Sequence, residues 1–436
     1  MKGSPRSFIV MKILENLPSK SRALLEQLLE VEWRRQAPAI QQAQGKTDDG
    51  RLLHWRAGQK KSRSLARLAE DLRAPIASFE RERQSCSALL RELTSLSPSE
   101  QTEAVSSQSR FHSLALCEHV LEASRHASFE DPKAGKDLAE LGLQIARNLD
   151  PDVYGDQIVK DLCGRAWSEL GNAFRVSSDL GSAERSLLKA GACLLESYDP
   201  LEKARFFNIK AVLRKDQRRF KEALGLRERA IAIYRRFEDM HHLGLSLCSK
   251  GSDLLEMAEP ELAAVALHEA VGLIDPVADP RLFLAAHHNL ATALVLQERY
   301  LEATEAFSKF ERLYRDDLWS QARRQWLRGR IAAGLGQLKK AEEAFRTARE
   351  GFRVHDIPYD FALVSIELAL VYARQNRTTE VKQLAAEMVP IFRSRHIHRE
   401  ALAALTLFRQ AVEQENITVG TLRKIIDRLE RAPKKV

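Results

Sequence analysis

A small or aliphatic residue returns about every 40 positions along most of this 436-residue chain. The stretches PKAGKDLAEL, GSAERSLLKA, KEALGLRERA, ELAAVALHEA, LEATEAFSKF, KKAEEAFRTA and TEVKQLAAEM carry Ala134, Ala183, Ala223, Ala263, Ala303, Ala341 and Val381, spaced by 49, 40, 40, 40, 38 and 40. A fixed interval of roughly 20–50 residues marks a stacked array, in which each unit buries its apolar face only against its neighbours. Such an array suits a length beyond that at which one hydrophobic core stops growing.

Each unit reads as two helices. In WSELGNAFRVSSDLGSAERSLLKAGACLLE, Trp167, Leu170, Gly171 and Phe174 share one face of a first helix. After a break at Ser177–Gly181, Ala183, Leu187, Ala190 and Leu194 recur at three- and four-residue spacing and mark the inner face of a second. Asp-Pro pairs at 150–151, 199–200, 275–276 and 279–280 punctuate the units and are expected to stop helices, because proline disfavours helical geometry in the residue before it. Small residues at Gly171, Ala211, Gly251, Ala291, Gly329 and Ala369 are expected to let each first helix approach the second, which offers Ala183, Ala223, Ala263, Ala303 and Ala341. With 44% apolar but only 7% aromatic residues, composition favours helix over all-β structure.

These units resemble tetratricopeptide repeats. The family pattern W-x-x-L-G-x-x-Y…A-x-x-x-F-x-x-A is matched by Trp167, Leu170, Gly171, Phe174, Ala183, Leu187 and Ala190. Later units keep part of it, among them Leu290, Ala291, Leu294, Tyr300, Ala303 and Phe307, then Gly329, Leu338, Ala341, Phe345 and Ala348. The period is near 40 rather than the family's usual 34, which implies longer helices. The resemblance covers roughly residues 111–415. It implies an all-α fold, an α-solenoid of about seven helix-turn-helix repeats forming a right-handed superhelix with an N-terminal helical region, and a partner segment held on the concave surface.

GRIAAGLGQLKKAEEAF, residues Gly329 to Phe345, looks at first like a phosphate loop. A Walker motif needs G-x-x-x-x-G-K-[S/T] after a strand, whereas Leu335 follows Gly334 and both flanks read as helix. Gly329 is the packing residue of a first helix and Gly336 fits the turn; Gly334 has no role in the repeat pattern.

Positions flanking the packing face of the first helices give the expected groove: Arg165, Asn172 and Arg175; Arg205, Asn208 and Lys215; Arg323, Trp326 and Arg330. Between these basic ends lies a more apolar floor of Leu245, Cys248, Ser252, Leu255, His288, Thr292 and Val295. A peptide with carboxylates and an apolar centre suits this lining, since Arg and Asn present directional donors to carboxylate oxygens. Asn172 and Asn208 resemble the carboxylate-clamp variety of these repeats; arginines bridging neighbouring repeats are the alternative reading.

No catalytic, cofactor or metal site is expected. The pairs His241–His242, His287–His288 and His396/His398 lack an H-E-x-x-H arrangement or a carboxylate at ligand spacing. His287 is expected in the helix interface and His288 in the groove. No G-x-S-x-G elbow occurs. Five scattered cysteines form neither a disulfide framework nor a C-x-x-C knuckle, and read as buried free thiols in a reducing cytoplasm. No apolar run approaches the roughly 18 residues of a membrane span.

The N-terminal quarter differs. Residues 1–110 hold 19 Lys/Arg against 13 Asp/Glu, a net of +6 within a total of +8. An N-terminal helix and polar loop (1–50) precede a basic helical segment (51–95), a linker (96–110), the repeats (111–415) and a capping helix and tail (416–436). Within the basic segment, SLARLAEDLRAPIASFERER (64–83) resembles the helix-turn-helix of phage-repressor-like regulators through Ser64, Leu68, Ala69, Leu72 and Ala74, with Arg73 at the turn glycine. Arg56, Lys60, Lys61, Arg63 and Arg67 could then meet nucleic-acid phosphates; a helical pair ahead of the array is the other reading. Two functions follow: a non-catalytic scaffold binding a partner peptide or protein segment, or a ligand-responsive transcription regulator with a degenerate helix-turn-helix. If the packing rule holds, Ala303→Trp costs about 1–3 kcal/mol or more by overpacking, read as a lower urea midpoint with unchanged slope.

Overall fold

The structure, a computed structural model, describes residues 73–393 apart from Glu196, Tyr198 and Asp356, together with Phe408, Val412 and residues 418–431. The basic stretch 51–67, with Arg56, Lys60, Lys61, Arg63 and Arg67, and the first part of the helix-turn-helix resemblance lie outside the described residues. Every described element is helical. The described residues divide into two compact units, 73–124 with 140–155, and 125–139 with those from 156 onward.

In the first unit α1 (Arg73–Thr94) is followed by α2 (Pro98–Ser107). The stretch expected as a linker thus carries a helix. Its start is a capping box, in which Ser97 Oγ accepts from the Glu100 N–H and the Glu100 carboxylate accepts from the Ser97 N–H. α3 (Leu114–Glu130) and α4 (Pro132–Arg147) each run from one unit into the other. Within the first unit, Gly142 lies so close to α3 that a Cβ there would meet Leu121 at 2.5 Å. After the short α5 (Pro151–Tyr154), the Tyr154 hydroxyl donates to Glu82 at 3.1 Å, and Ser113 donates to the same carboxylate at 2.7 Å.

The second unit holds six consecutive helix pairs: α6 (Asp156–Val176) with α7 (Leu180–Leu194), α8 (Pro200–Asp216) with α9 (Phe220–Arg236), and α10 (Met240–Glu256) with α11 (Pro260–Leu273). They continue as α12 (Pro280–Leu296) with α13 (Tyr300–Phe310), α14 (Leu318–Gly334) with α15 (Leu338–Val354), and α16 (Pro358–Arg374) with α17 (Thr378–Arg393). The last described helix, α18 (Val419–Arg431), packs Leu422 and Ile425 into the core around α16.

Ala183, Ala223, Ala263, Ala303, Ala341 and Val381 are all fully buried. The facing glycines show why. A Cβ on Gly171 would meet Leu187 at 2.9 Å, one on Gly251 would meet Leu267 at 2.4 Å, and one on Gly329 would meet Phe345 at 2.5 Å. Contacts this short are not tolerated in a close-packed interior, so the small residue sets how near the two helices lie. Gly334 obeys the same physics between repeats: a Cβ there would fall 2.1 Å from the Tyr300 ring at the start of α13.

The ends of the helices repeat as regularly as their middles. Asp199, Asp239, Asp279 and Asp317 cap α8, α10, α12 and α14, each carboxylate accepting from a backbone N–H two or three residues on. Asp-Pro pairs therefore open helices rather than stop them: at 199–200 and 279–280 aspartate is the cap and proline takes the first helical position, where its missing N–H costs nothing. The non-helical residue before proline is the cap itself. Each turn inside a pair contains one left-handed residue, namely Ser178, Arg218, Ala258, Glu298, Gly336 and Asn376. The next N–H bonds back five residues, as from Arg299 to Leu294 O at 2.9 Å and from Gln337 to Ala332 O at 2.9 Å, the C-terminal motif that recruits glycine elsewhere.

Glu298→Gly is therefore expected to raise stability by about 1 kcal/mol, because a side chain in the left-handed region carries a strain of roughly 1–2 kcal/mol. Gly334→Ala, which drives a methyl into Tyr300, is expected to lower it by about 1–3 kcal/mol. Urea midpoints of the two variants that fail to move in opposite directions would contradict the packing described.

Candidate functional site

Six first helices, α6, α8, α10, α12, α14 and α16, succeed one another in the second unit, and polar side chains tie α6 to α8, α8 to α10 and α14 to α16. The Glu202 carboxylate on α8, buried, takes Arg205 at 2.7 Å and Arg165 of α6 at 3.8 Å. Arg175 reaches Asp216 at 2.9 Å while Asn172 Oδ1 holds the other side of its guanidinium. Asn208 donates through Nδ2 to Ser246 Oγ at 2.8 Å. Lys215 meets Glu256 at 2.7 Å and lies 3.7 Å from Asp253, whose carboxylate also forms a fully buried ion pair with Arg227. Further along, Trp326 Nε1 and Arg330 Nε both donate to the buried Glu367 of α16, at 2.6 and 2.7 Å.

The expected groove residues are thus brought onto one succession of helices, but most of their charge is committed. Arg165, Arg175, Arg205, Lys215 and Arg330 each face a carboxylate of their own or the adjoining helix, and Asn172 and Asn208 hold other groups of the ladder. Arginines bridging neighbouring repeats, the alternative to a carboxylate clamp, describe these contacts. A buried cation deprived of its partner is strongly destabilising, so these side chains set the spacing of the helices first.

Arg323 is different. Its guanidinium stacks over the exposed indole of Trp319 one turn earlier, 4.9 Å from the ring centroid, and no carboxylate or hydrogen-bond acceptor among the described residues lies within bonding distance. Burial pushes its pKa down, against attraction from Tyr314 and Asp360. Beside it, His288 of α12 is hydrogen bonded through Nδ1 to the Tyr314 hydroxyl. Burial, with Arg323 and Arg330 adding repulsion, holds His288 well below the usual histidine range, so it is neutral near pH 7. The neighbouring His287 packs between Phe283 and Phe310, with ring centroids 4.3 and 5.6 Å away. Towards α10, the floor keeps Ser252 and Leu255 half-buried, whereas Cys248 is sealed and burial pushes its thiol up to about 11.

No protein-family model and no curated protein matches the chain, but solved structures do. The apo form of the quorum sensor NprR from B. thuringiensis aligns over 70% of this chain and 84% of its own, with a TM-score of 0.53 and 16% identity. A Rap protein complexed with Competence and Sporulation Factor aligns over 72% of this chain and 86% of its own, with a TM-score of 0.51 and 13% identity. This chain has a tetratricopeptide-like α-solenoid fold. At such identities the likeness is one of fold.

Tyr314, Trp319 and Glu367 were not among the residues expected at the site. Trp319 and Arg323 stand one helical turn apart, a spacing visible in the sequence. Glu367 follows from the register: cross-repeat pairs fall 37 residues apart for Arg330–Glu367 and 41 for Arg175–Asp216. Tyr314 lies beyond α13, which is shorter than the other second helices and continues as a single 3₁₀ turn; no periodicity reaches it. Because folded His288 excludes a proton that the unfolded chain accepts, its contribution is complete above the ordinary histidine pKa, about 6.5, and is lost as pH falls. The fall in urea midpoint between about pH 7 and pH 5 is therefore expected to be smaller in His288→Gln; equal falls would mean that His288 takes up its proton freely.

Proposed function

We propose that this chain is a non-catalytic interaction scaffold that holds an extended peptide, or a segment of a partner protein, along the surface of its first helices. The carrying observation is the pinning of first helices by cross-repeat polar contacts between α6 and α8, α8 and α10, and α14 and α16, while Ser252, Leu255, Thr292 and Trp319 keep surface on that same face. A face held rigid before binding loses less entropy on taking up an extended chain. The perturbed titratable groups support binding over chemistry, because each has a structural cause: burial for Tyr234, Tyr314, Cys248 and His288, and the Arg214 ion pair for Glu184. The Rap protein of the same fold was solved with Competence and Sporulation Factor bound, which is consistent with a small proteinaceous ligand here.

The test is selection of binders from a library of displayed random peptides on the full chain. Ser252→Arg and Thr292→Arg place bulk on the first-helix face and are expected to cut affinity by at least tenfold. Leu301→Arg, at an exposed position on the second helix α13, is expected to leave it unchanged. Circular dichroism of all three variants verifies the fold. Loss of binding in Leu301→Arg alone would move the site to the opposite face and overturn the reading.

A further inference from the structure

Of the six cations expected along the groove, five are neutralised by the protein and one is not. The rule that neutralises four of the five is regular: a first-helix cation closes on a carboxylate 37 or 41 positions later, as Arg165 does on Glu202, Arg175 on Asp216, Lys215 on Glu256 and Arg330 on Glu367, while Arg205 takes Glu202 of its own helix. For Arg323 the residue 41 positions on is Val364, which is apolar and fully buried, and the residue 37 on is Asp360, which attracts it without coming within ion-pair distance. A guanidinium carries five N–H donors in a planar fork that matches a carboxylate, and here that fork has one face on indole and its edge unfilled.

The surroundings favour an anion at this place. Arg330 adds positive charge, offset by Glu367; His288 is neutral and Tyr314 protonated, so neither repels a carboxylate, whereas Asp360 does. Trp319 leaves much of its indole exposed next to the fork, a surface for an apolar group.

We infer that Arg323 is the receptor for one carboxylate of the bound segment, seated where α12, α14 and α16 adjoin, with an apolar residue beside it on Trp319. The charges around α6, α8 and α10 do not select the ligand. This inference rests on the scaffold reading and adds to it a fixed polarity, since the acidic group of the ligand has one place to go. The carboxylate is either an Asp or Glu side chain or the free C-terminus.

The experiment uses random heptapeptides with free C-termini, selected on the full chain, and fluorescence anisotropy of the best binder in three forms: as selected, with each Asp or Glu changed to its amide, and with the C-terminus amidated. Against Arg323→Gln the selected peptide is expected to lose at least tenfold in affinity, and Arg323→Lys to recover part of it. Against Arg353→Gln, which removes an exposed cation from the second helix α15, the change is expected to stay within about threefold. One neutralised form should bind wild type as weakly as the selected peptide binds Arg323→Gln and should lose nothing more in that variant, which identifies the carboxylate. Undiminished binding to Arg323→Gln, or equal losses for acidic and neutral peptides, would overturn the inference while leaving the scaffold reading intact. A library that yields no binder to the folded chain would overturn both.

Discussion

The close approach of two helices at a residue without a side chain to spare is the contact on which the rest of the structure depends. Where Gly251 faces Leu267 or Gly329 faces Phe345, even one added carbon overlaps the neighbouring side chain. That contact fixes how near the two helices of a pair lie, and the near-constant interval of 40 residues repeats it from one pair to the next. First helices are thereby brought side by side with a constant offset, and this offset brings Arg175 to Asp216 and Lys215 to Glu256. The polar ladder is a consequence of the apolar packing and then reinforces it.

Charge along the first helices is consequently divided between two tasks. Most of it is spent inside the molecule: Arg227 and Asp253 are buried together, and the Arg214 contact holds the Glu184 carboxyl down to about 2. Truncating one member of such a pair leaves an uncompensated charge in a poorly solvated place, which makes these residues sensitive to mutation without making them ligand contacts. A count of basic residues along the groove therefore overstates the charge available to a partner. Arg323 stands apart because the chain supplies Val364 and an insufficiently close Asp360 where its counterparts find a carboxylate.

Much of the fold was legible because it rests on residue size at fixed spacing. The alanines from Ala183 to Ala341 and the small residues facing them occupy the interfaces that the pattern implied. Three things were less legible. Asp-Pro pairs signal a boundary, but whether they close one helix or open the next depends on the direction in which the aspartate accepts its hydrogen bond, as at Asp199 and Asp279. The serine-rich stretch after Leu96 looks like a linker by composition, yet Ser97 and Glu100 form a capping box that starts a helix. Left-handed turn positions were hidden because only one of the six inside the helix pairs is glycine, the others being Ser178, Arg218, Ala258, Glu298 and Asn376.

The sequence by itself determined that this chain is a stacked array of helix pairs, because periodicity and side-chain volume are properties of residues taken in order. It also determined which polar residues share one face of the first helices, since that follows from the position of each residue around its helix. Only the tertiary structure decided which of the polar residues there are already satisfied, because partners 37 to 41 residues apart meet only after the repeats have stacked. The same holds for Gly334, silent in the repeat pattern and required by the ring of Tyr300. It holds as well for Arg323, whose distinction is that no described neighbour completes it.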